Sequence, residues 1–357
     1  MMLVVNAGSS SLKFALFDAA LTEIFDGVVS EIGGDARIEL GGVAQTRAIA
    51  DHDAATDLML DALRDRGHPV DCLDAAVHRV VHGGSAFDGT VRITPEVIAG
   101  IEVQTPLAPL HNPHNLAPIR ALAARAPDLV QVAGFDTAFH ATVPEVARAY
   151  ALPEDDRAQG LRRYGFHGIS YAGLTETLRE SGDLPPRLLA LHLGNGASLC
   201  AIRDGRSVAT SMGYSPTAGL TMGTRSGDID PMAVLDMARR HGIDGAADRL
   251  NRASGLLGLG GHSDMRALLA DGSEAARFAR AHFIYWAVRH AGSAIAAMGG
   301  LDALAFTGGI GQNDVGVRDE IAARLAWAGE VPVHVVVAEE ERTLARDAQR
   351  LLDGEPR

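Results

Sequence analysis

The stretch LVVNAGSSSLKFALFD, residues 3–18, contains an apolar run, a turn of small residues and a second run in which apolar and polar residues alternate. This pattern is typical of a β-hairpin. The same plan returns far along the chain, where LLALHL (188–193) leads into GNGAS (194–198) and then LCAIRDG (199–205). The repeat predicts two similar α/β domains, each beginning with a hairpin.

Both turns consist of Gly, Ser, Asn and Ala, which let backbone N–H groups approach an oxyanion closely. For a single copy, an ordinary hairpin turn is the better interpretation. Two copies at corresponding places favour two sides of one phosphate site. Neither turn matches the Walker pattern, and no strand-bound G-x-G-x-x-G with a following acid is present.

Apolar periodicity places further elements between and after the hairpins. Helices are predicted near 55–66, 113–126, 231–241, 274–298, 315–328 and 340–352. Short apolar runs predict buried strands near 74–80, 130–135, 188–193, 303–307 and 333–337. The alternation of strands and helices predicts an α/β fold, with the last helix packing back on the first domain.

Composition narrows the function classes. A chain of 357 residues is long enough for two domains. The net charge of −13 disfavours a nucleic-acid partner but allows a small anion in a locally basic cleft. No apolar run is long enough to span a bilayer, so we expect a cytoplasmic protein without a membrane partner. The two cysteines, Cys72 and Cys200, fit a reducing compartment and are expected to be buried.

Several polar residues follow apolar runs, where the ends of sheet strands present side chains to a cleft. They are Arg79 in AVHRVVHGG, His111 in LAPLHNPHN, Asp136 in VAGFDTAFH, His167 in RRYGFHGIS and Arg225 in GLTMGTRSGDIDP, and AFTGGIGQN (305–313) ends in a glycine turn. An arginine among Gly, Thr and Ser is expected to bind an anion. Asp136 is open to two interpretations, a helix cap or a neighbour of a metal or phosphate. The histidine spacing disfavours a zinc site.

Lys13 is the one lysine in the chain, because every other basic position is arginine. An ammonium is a compact point charge, whereas a guanidinium is a wide planar fork. A phosphate contact that needs the smaller cation and a chance surface lysine are both compatible with this observation.

The motifs NAGSSSLKF, HRVVHGG, APLHNP, FDTAFH, RRYGFHG, HLGNG, MGTRSGDIDP, SGLLG and FTGGIGQN closely resemble, in the same order, those of the acetate kinases. The resemblance runs from Val4 to about Asp347. It implies the two-domain fold of actin, Hsp70 chaperones and sugar kinases, a duplicated ribonuclease H-like architecture with a cleft between domains. The implied boundaries are 1–140 plus 341–357 for an N-terminal acyl-kinase lobe and 141–340 for a C-terminal nucleotide-binding lobe.

The resemblance also implies an activity, the reversible in-line transfer of the γ-phosphoryl of ATP to acetate with Mg²⁺ or Mn²⁺, in a homodimer. A carboxylate is ionised at neutral pH, so the nucleophile needs no strong general base. The obstacle is the approach of two anions, which positioning and spread positive charge overcome.

The resemblance assigns roles to individual residues. The catalytic set is Asp136, Arg79, Arg225, His167 and His111. Arg79 and the apolar residues Val81, Leu110, Phe166 and Pro216 surround acetate, which favours acetate or propionate over butyrate. The nucleotide set is Ser9, Ser11, Lys13, His192, Leu193, Gly194, Asn195, Gly196, Asp264, Met265, Arg266, Gly309, Ile310, Gly311, Gln312 and Asn313. Asn6 and Glu340 are the metal ligands, with Glu339 and Glu341 as competitors of Glu340.

Three features depart from the family pattern. SPTAGL (215–220) lacks an acidic residue before its glycine, Gln312 replaces the usual glutamate, and the segment near 328–332 is short. Two rival functions remain open. One is an acyl kinase that prefers propionate or uses pyrophosphate, and the other is a non-kinase ATPase of the actin and Hsp70 kind.

Overall fold

The structure is a computed structural model that describes residues 1–109 and 111–354. The chain divides into two compact units. Unit 1 comprises Met1–Ala138 and Glu339–Arg357, and unit 2 comprises Phe139–Ala338.

The elements follow in chain order. Unit 1 contains β1 (Met2–Ala7), β2 (Ser11–Phe17), β3 (Glu23–Ser30), β4 (Gly34–Leu40), β5 (Val43–Ile49), α1 (His52–Asp65), β6 (Ala75–Val80), β7 (Val91–Arg92), α2 (Pro95–Val103), α3 (Asn112–Arg125) and β8 (Gln131–Phe135). Unit 2 contains α4 (Glu145–Arg148), α5 (Glu154–Ala158), α6 (Gly168–Ser181), β9 (Arg187–Leu193), β10 (Ala197–Arg203), β11 (Arg206–Thr210), α7 (Pro231–Arg252), α8 (Gly255–Gly260), α9 (Met265–Asp271), α10 (Glu274–Met298), β12 (Ala303–Thr307), α11 (Gly308–Asn313), α12 (Val315–Leu325) and β13 (Val333–Val335). The last helix, α13 (Glu340–Asp353), belongs to unit 1.

Unit 1 is built on one sheet with the strand order β5-β4-β3-β2-β1-β6-β8-β7. The predicted first hairpin is confirmed, because β1 and β2 pair antiparallel from Met2↔Phe17 to Ala7↔Leu12. β6 and β8 add to it in parallel. Helix α1 buries Met59 and Leu63 in the core cluster that contains Leu3 and Phe14.

The final helix lies directly on the unit 1 sheet. α13 packs against β1, β2, β6 and β8, and it buries Leu344, Ala345 and Ala348. A Cβ placed on Gly134 of β8 would lie 2.4 Å from Cδ2 of Leu344. A side chain at this position would therefore force Leu344 to shift from its present place.

This strand order gathers four polar side chains at one edge of the unit 1 sheet. Lys13 and Asn6 are register partners across the hairpin. Arg79 lies near the end of the neighbouring β6, and Asp136 follows β8 directly. The sheet therefore presents two cations, an amide and a carboxylate from adjacent strand ends.

Unit 2 repeats the plan with the strand order β11-β10-β9-β12-β13. The second predicted hairpin is confirmed, since β9 and β10 pair antiparallel, and β12 pairs in parallel with β9. Ser198, His192 and Thr307 are register partners across three neighbouring strands. The α6 residues Tyr171 and Leu174 pack on this face of the sheet.

The predicted helices are confirmed with shifted ends. Helix α7 continues eleven residues past the predicted end at 241, to Arg252, across a kink at Gly242, whose φ of 74° interrupts the helix. Helix α12 ends at Leu325, before a 3₁₀ turn over Ala326–Ala328. The antiparallel extension β3–β5 was not predicted. Among the described residues, no helix is both long and apolar enough to cross a bilayer.

The expectation for the cysteines is half right. Cys200 is buried in β10, and burial raises the pKa of its thiol to about 12. Cys72 is exposed, because it ends a short 3₁₀ turn, Val70–Cys72, that leads into β6.

Candidate active site

A bidentate ion pair occupies the centre of the polar edge of unit 1. Nε of Arg79 lies 3.1 Å from Oδ1 of Asp136, and Nη2 lies 2.6 Å from Oδ2. Nη1 of Arg79 also donates to Oδ1 of Asn6 at 3.3 Å. Burial alone would lower the pKa of Arg79, but the carboxylates of Asp136 and Glu340 raise it above its usual value. The guanidinium is therefore a permanent, oriented charge.

Glu340 joins this cluster from the first turn of α13. Burial raises the pKa of its carboxyl; Arg79 opposes the shift, and Asp136 adds to it. Lys13 lowers the same pKa, which places the ammonium in the field of this carboxylate. Glu339 is exposed and pairs with Arg342 at 3.3 Å. The proximity of Glu340 to the charges of Arg79, Asp136 and Lys13 favours it over the exposed Glu339 as the candidate metal ligand.

The donor set suits a hard divalent cation. Mg²⁺ binds through one or two carboxylates and retains waters or phosphate oxygens as its other ligands. Glu340 supplies one carboxylate, and Asn6 supplies an amide oxygen. The described residues hold no group of three or more His, Cys, Asp or Glu side chains arranged for a metal. One carboxylate and one amide oxygen match the small number of protein ligands that Mg²⁺ usually takes.

Asn115 and His52 hold the ends of β1 and β6, and neither was among the predicted site residues. The Asn115 side chain donates to the carbonyl of Ala7 at 2.7 Å and accepts from the amide of Val81 at 3.0 Å. Nε2 of His52 lies 2.7 Å from the carbonyl oxygen of Gly8. The signal for Asn115 was its place in HNPHN, four residues after His111.

The first turn is closed by its own backbone, since the amide of Gly8 donates to the carbonyl of Ser11 at 2.8 Å. Ser9 and Lys13 are exposed, and Ser11 is half-buried. The three side chains are thus accessible beside the polar edge of unit 1.

The predicted acyl-pocket residues divide between the units. Val81 is buried in unit 1. His111, which belongs to the predicted catalytic set, precedes α3 in the same unit and is half-buried. In unit 2, Phe166 is buried, and the carbonyl of Pro216 accepts from Nη1 of Arg225 at 3.1 Å. Leu110 lies outside the described residues.

The hairpin turn between β9 and β10 (194–196) is surrounded by cationic and imidazole nitrogens. A Cβ built on Gly196 would lie 3.2 Å from Nε2 of His167 and 3.6 Å from Nη1 of Arg225. A Cβ on Gly194 would lie 3.8 Å from Nε2 of His192. The two imidazole rings stack with centroids 4.1 Å apart. These nitrogens line the turn whose backbone amides are predicted to bind phosphate.

A serine hydroxyl group forms a hydrogen bond with Nδ1 of each imidazole, the ring nitrogen other than the one near the turn. Oγ of Ser198 lies 2.8 Å from Nδ1 of His167, and Oγ of Ser170 lies 2.8 Å from Nδ1 of His192. His167 adopts a left-handed backbone with φ of 59° just before α6. This strained conformation in a non-glycine residue is typical of a functional site.

A cavity of about 670 Å³ lies beside the same turn, within unit 2. This volume is within the usual range for small-molecule and cofactor sites. Eight of its lining residues were predicted for the nucleotide: Gly194, Asn195, Asp264, Met265, Arg266, Gly309, Ile310 and Asn313. Ser263, Leu269, Asp314 and Val315 also line it and were not predicted.

Asp264 and Arg266 form one wall of this cavity. Asp264 caps α9 by accepting from the backbone amide of Arg266 at 2.7 Å, and it pairs with the Arg266 guanidinium at 2.7 Å. Hydrogen bonds from the Arg266 side chain and backbone lower the pKa of Asp264 to about 2. The wall thus carries a fixed negative charge beside an exposed guanidinium.

The remaining predicted nucleotide residues do not line the cavity. Leu193 and Gly311 are buried in the unit 2 interior. With its amide oxygen turned toward the backbone, Gln312 accepts from the amide of Ala338 at 3.0 Å and from that of Gly308 at 3.3 Å. In this orientation Gln312 supports the glycine turn from behind.

The duplicated hairpin architecture is that of the two-domain ATPase fold, and the cations at strand ends and a cavity of nucleotide size are features that a phosphotransferase of this class requires. The sequence matches the model described as the Acetokinase family over residues 1–345. The chain belongs to the acetokinase family, whose members are kinases with a carboxylate as the phosphoryl acceptor.

Individual relatives agree with this membership. The chain is 40% identical to the acetate kinase of Rhodopseudomonas palustris (strain TIE-1), over 99% of this chain and 98% of that protein. It is 44% identical to the acetate kinase of Leifsonia xyli subsp. xyli (strain CTCB07), over 99% and 93%. The crystal structure of Porphyromonas gingivalis acetate kinase matches with a TM-score of 0.91 at 36% identity, over 98% and 99% of the two chains.

Gly196→Ala tests the geometry of the unit 2 turn. Its added methyl group would press on Nε2 and Cε1 of His167, at 3.2 and 3.3 Å, without backbone strain from a positive φ. We expect kcat to fall by about 10–100-fold, because small misplacements of reacting groups cost that much. Gly34→Ala on β4, where a Cβ meets nothing within 4 Å, is the matched control. Steady-state kinetics in which both variants keep the parental rate would contradict the geometry.

Proposed function

We propose that this protein catalyses the reversible transfer of the γ-phosphoryl group of ATP to acetate, giving acetyl phosphate and ADP. Membership of the acetokinase family is the observation that carries the proposal. The grouping of Arg79, Asp136 and Glu340 in unit 1 supports it, as does the ring of nitrogens around the unit 2 turn.

The residues of unit 1 act on the acetate and on the metal. Arg79 binds the carboxylate of acetate and reduces its repulsion from the incoming phosphoryl group. Asp136 fixes both ends of the guanidinium fork, so the orientation of that charge is set before substrate arrives. Lys13 contributes a second, smaller cation from the hairpin. Val81 contributes apolar surface for the methyl group.

A divalent cation, which we propose to be Mg²⁺ with Mn²⁺ as an alternative, is held by Glu340 and Asn6. When bound, it would neutralise charge on the phosphate oxygens. Burial and the Asp136 carboxylate both raise the pKa of Glu340, which means that both disfavour its ionised form. A cation bound beside Glu340 would stabilise that ionised form.

The residues of unit 2 bind the nucleotide and stabilise the moving phosphoryl group. The turn 194–196 offers backbone amides to phosphate, and His167, His192 and Arg225 supply side-chain donors to the same place. Asp264 and Arg266 form the wall for adenosine. We therefore propose that unit 2 binds the nucleotide and that unit 1 binds most of the acyl substrate.

Propionate is the second candidate acceptor. The crystal structure of a propionate kinase from Francisella tularensis subsp. tularensis SCHU S4 matches with a TM-score of 0.92 at 33% identity, over 97% and 98% of the two chains. One methylene in an apolar pocket is worth about 1–3 kcal/mol, so the two acids differ modestly as substrates.

A hydroxamate assay with acetate, propionate and butyrate, each with ATP and with pyrophosphate, tests the reaction. We expect acyl phosphate from acetate with ATP, a kcat/KM within about tenfold of it for propionate, and a lower value for butyrate. Product formed with pyrophosphate but not with ATP would identify a different phosphoryl donor. No acyl phosphate from any combination would overturn the kinase assignment.

We also propose that the protein is a homodimer, and an aromatic stripe on α10 supports this. Phe278 and Tyr285 are 57% and 56% exposed, and the rings of His282 and Trp286 continue the stripe at helical spacing. Exposed aromatic surface of this kind is typical of an interface.

Light scattering coupled to gel filtration tests the association. We expect twice the chain mass for the parent protein and a shift toward the monomer for Phe278→Glu with Tyr285→Glu, because a buried unpaired charge opposes association. A parent protein that elutes as a monomer at micromolar concentration would refute the proposal.

A further inference from the structure

Two buried hydroxyl groups connect the His167 ring to the interior of unit 2. Oγ of Ser198 lies 2.8 Å from Nδ1 of His167 and 2.6 Å from the hydroxyl oxygen of Tyr171. Ser198 and Tyr171 are both 0% exposed. Tyr171 was not among the predicted site residues, and Ser198 was predicted to lie in the turn of the second hairpin. The three groups form a continuous hydrogen-bonded chain, so the direction of its protons follows from the partners available.

The phenol of Tyr171 determines that direction. Ser198 is the side-chain partner that the described residues offer to its proton, and a buried donor without an acceptor costs about 1–3 kcal/mol. The hydrogen bonds at Ser198 and at the His192 backbone each lower the pKa of the Tyr171 phenol. Burial is the larger effect and raises that pKa well above its usual value, so Tyr171 stays protonated.

The remaining protons follow from this step. Once Oγ of Ser198 accepts from Tyr171, its own proton is directed to its other partner, Nδ1 of His167. An imidazole nitrogen that accepts a hydrogen bond carries no proton, so the neutral ring carries its proton on Nε2. Nε2 is the ring nitrogen that faces the turn, 3.2 Å from the Cβ position of Gly196.

We propose that Tyr171 and Ser198 are positioning residues that fix His167 as the neutral tautomer with its proton on Nε2. This inference rests on the proposed function, in which Nε2 donates to the transferring phosphoryl group. The opposite tautomer would direct a lone pair at an anionic oxygen. The His192 ring and the Arg225 guanidinium already lie at this turn. The hydrogen bonds from Tyr171 through Ser198 therefore make Nε2 of His167 a donor without adding another charge.

Nitrogen NMR of the ¹⁵N-histidine-labelled full chain reads the tautomer directly. The His167 signals are assigned by their loss in His167→Gln. We expect a pyrrole-like Nε2 and a pyridine-like Nδ1 in the parent protein at pH 7.5. Tyr171→Phe and Ser198→Ala should each convert the ring to a mixture of tautomers, because Nδ1 then has a weaker donor or none.

Matched control variants distinguish the effect of the Tyr171–Ser198–His167 hydrogen bonds from the general effect of removing a buried hydroxyl group. Tyr164→Phe removes a buried phenol that donates to the carbonyl of Gly160 at 2.9 Å. Ser207→Ala removes a buried serine hydroxyl 2.9 Å from Nδ1 of another histidine, His140. Both controls should leave the His167 tautomer and kcat unchanged. Retained nucleotide binding by every variant shows that unit 2 is folded.

Kinetics connect the tautomer to the reaction. We expect kcat to fall about tenfold in Tyr171→Phe and further in Ser198→Ala, with both KM values within about twofold, since losing a preorganised donor itself costs about 10²–10³ in kcat. A pyridine-like Nε2 in the parent, or a tautomer that neither variant changes, would overturn the proposal and leave the proposed function standing. An unchanged kcat in His167→Gln would overturn the role of His167, and with it the positioning role.

Discussion

The ion pair between Arg79 and Asp136 is the interaction on which the rest of unit 1 depends. Its two charges come from residues 57 positions apart in the chain, and β6 and β8 bring them together as parallel neighbours. A nearly fully buried carboxylate needs a partner, because an unpaired one would cost several kcal/mol. The guanidinium satisfies Asp136 and remains partly exposed, so it can still meet a second anion. The same contact therefore stabilises the strand ends and prepares a binding group.

The two hairpins present different chemistry on the same plan. In unit 1, the row at the strand ends consists of Lys13, Asn6, Arg79 and Asp136, and it works through full charges. In unit 2, the corresponding row contains Ser198, His192 and Thr307, which present hydroxyl and imidazole groups, and Arg225 is the cation at the nearby turn. A reaction that joins two anions needs charge to attract the substrates and uncharged donors that do not hold the product too tightly.

Much of this arrangement follows from the sequence, and the exceptions have physical causes. Both hairpins and most buried strands carried short-range patterns that predict them. The β3–β5 extension was missed because its residues are mainly exposed, including six of the seven residues of β5, so apolar periodicity is weak there. Helix α7 was shortened in the prediction because glycine at 242 reads as a helix end, whereas the chain turns and continues as helix.

Side-chain partnerships were the least predictable feature. Tyr171 and Ser198 meet across 27 positions only because α6 packs on β9 and β10, and neither residue stands out in a sequence. The preference for Glu340 over Glu339 likewise depended on surroundings that form only when α13 packs on the sheet. Family resemblance named candidates for these places, and tertiary packing shows which of them touch.

The central claim is that the oriented charge of Arg79 acts in the phosphoryl-transfer step itself. The most direct measurement is the single-turnover rate of acetyl phosphate formation in Arg79→Ala, with and without added guanidinium, beside the exposed Arg37→Ala as control. The account predicts a rate lower by about 10²–10³, as for loss of a preorganised charged donor, and partial recovery with guanidinium. A single-turnover rate equal to that of the parent protein would contradict it.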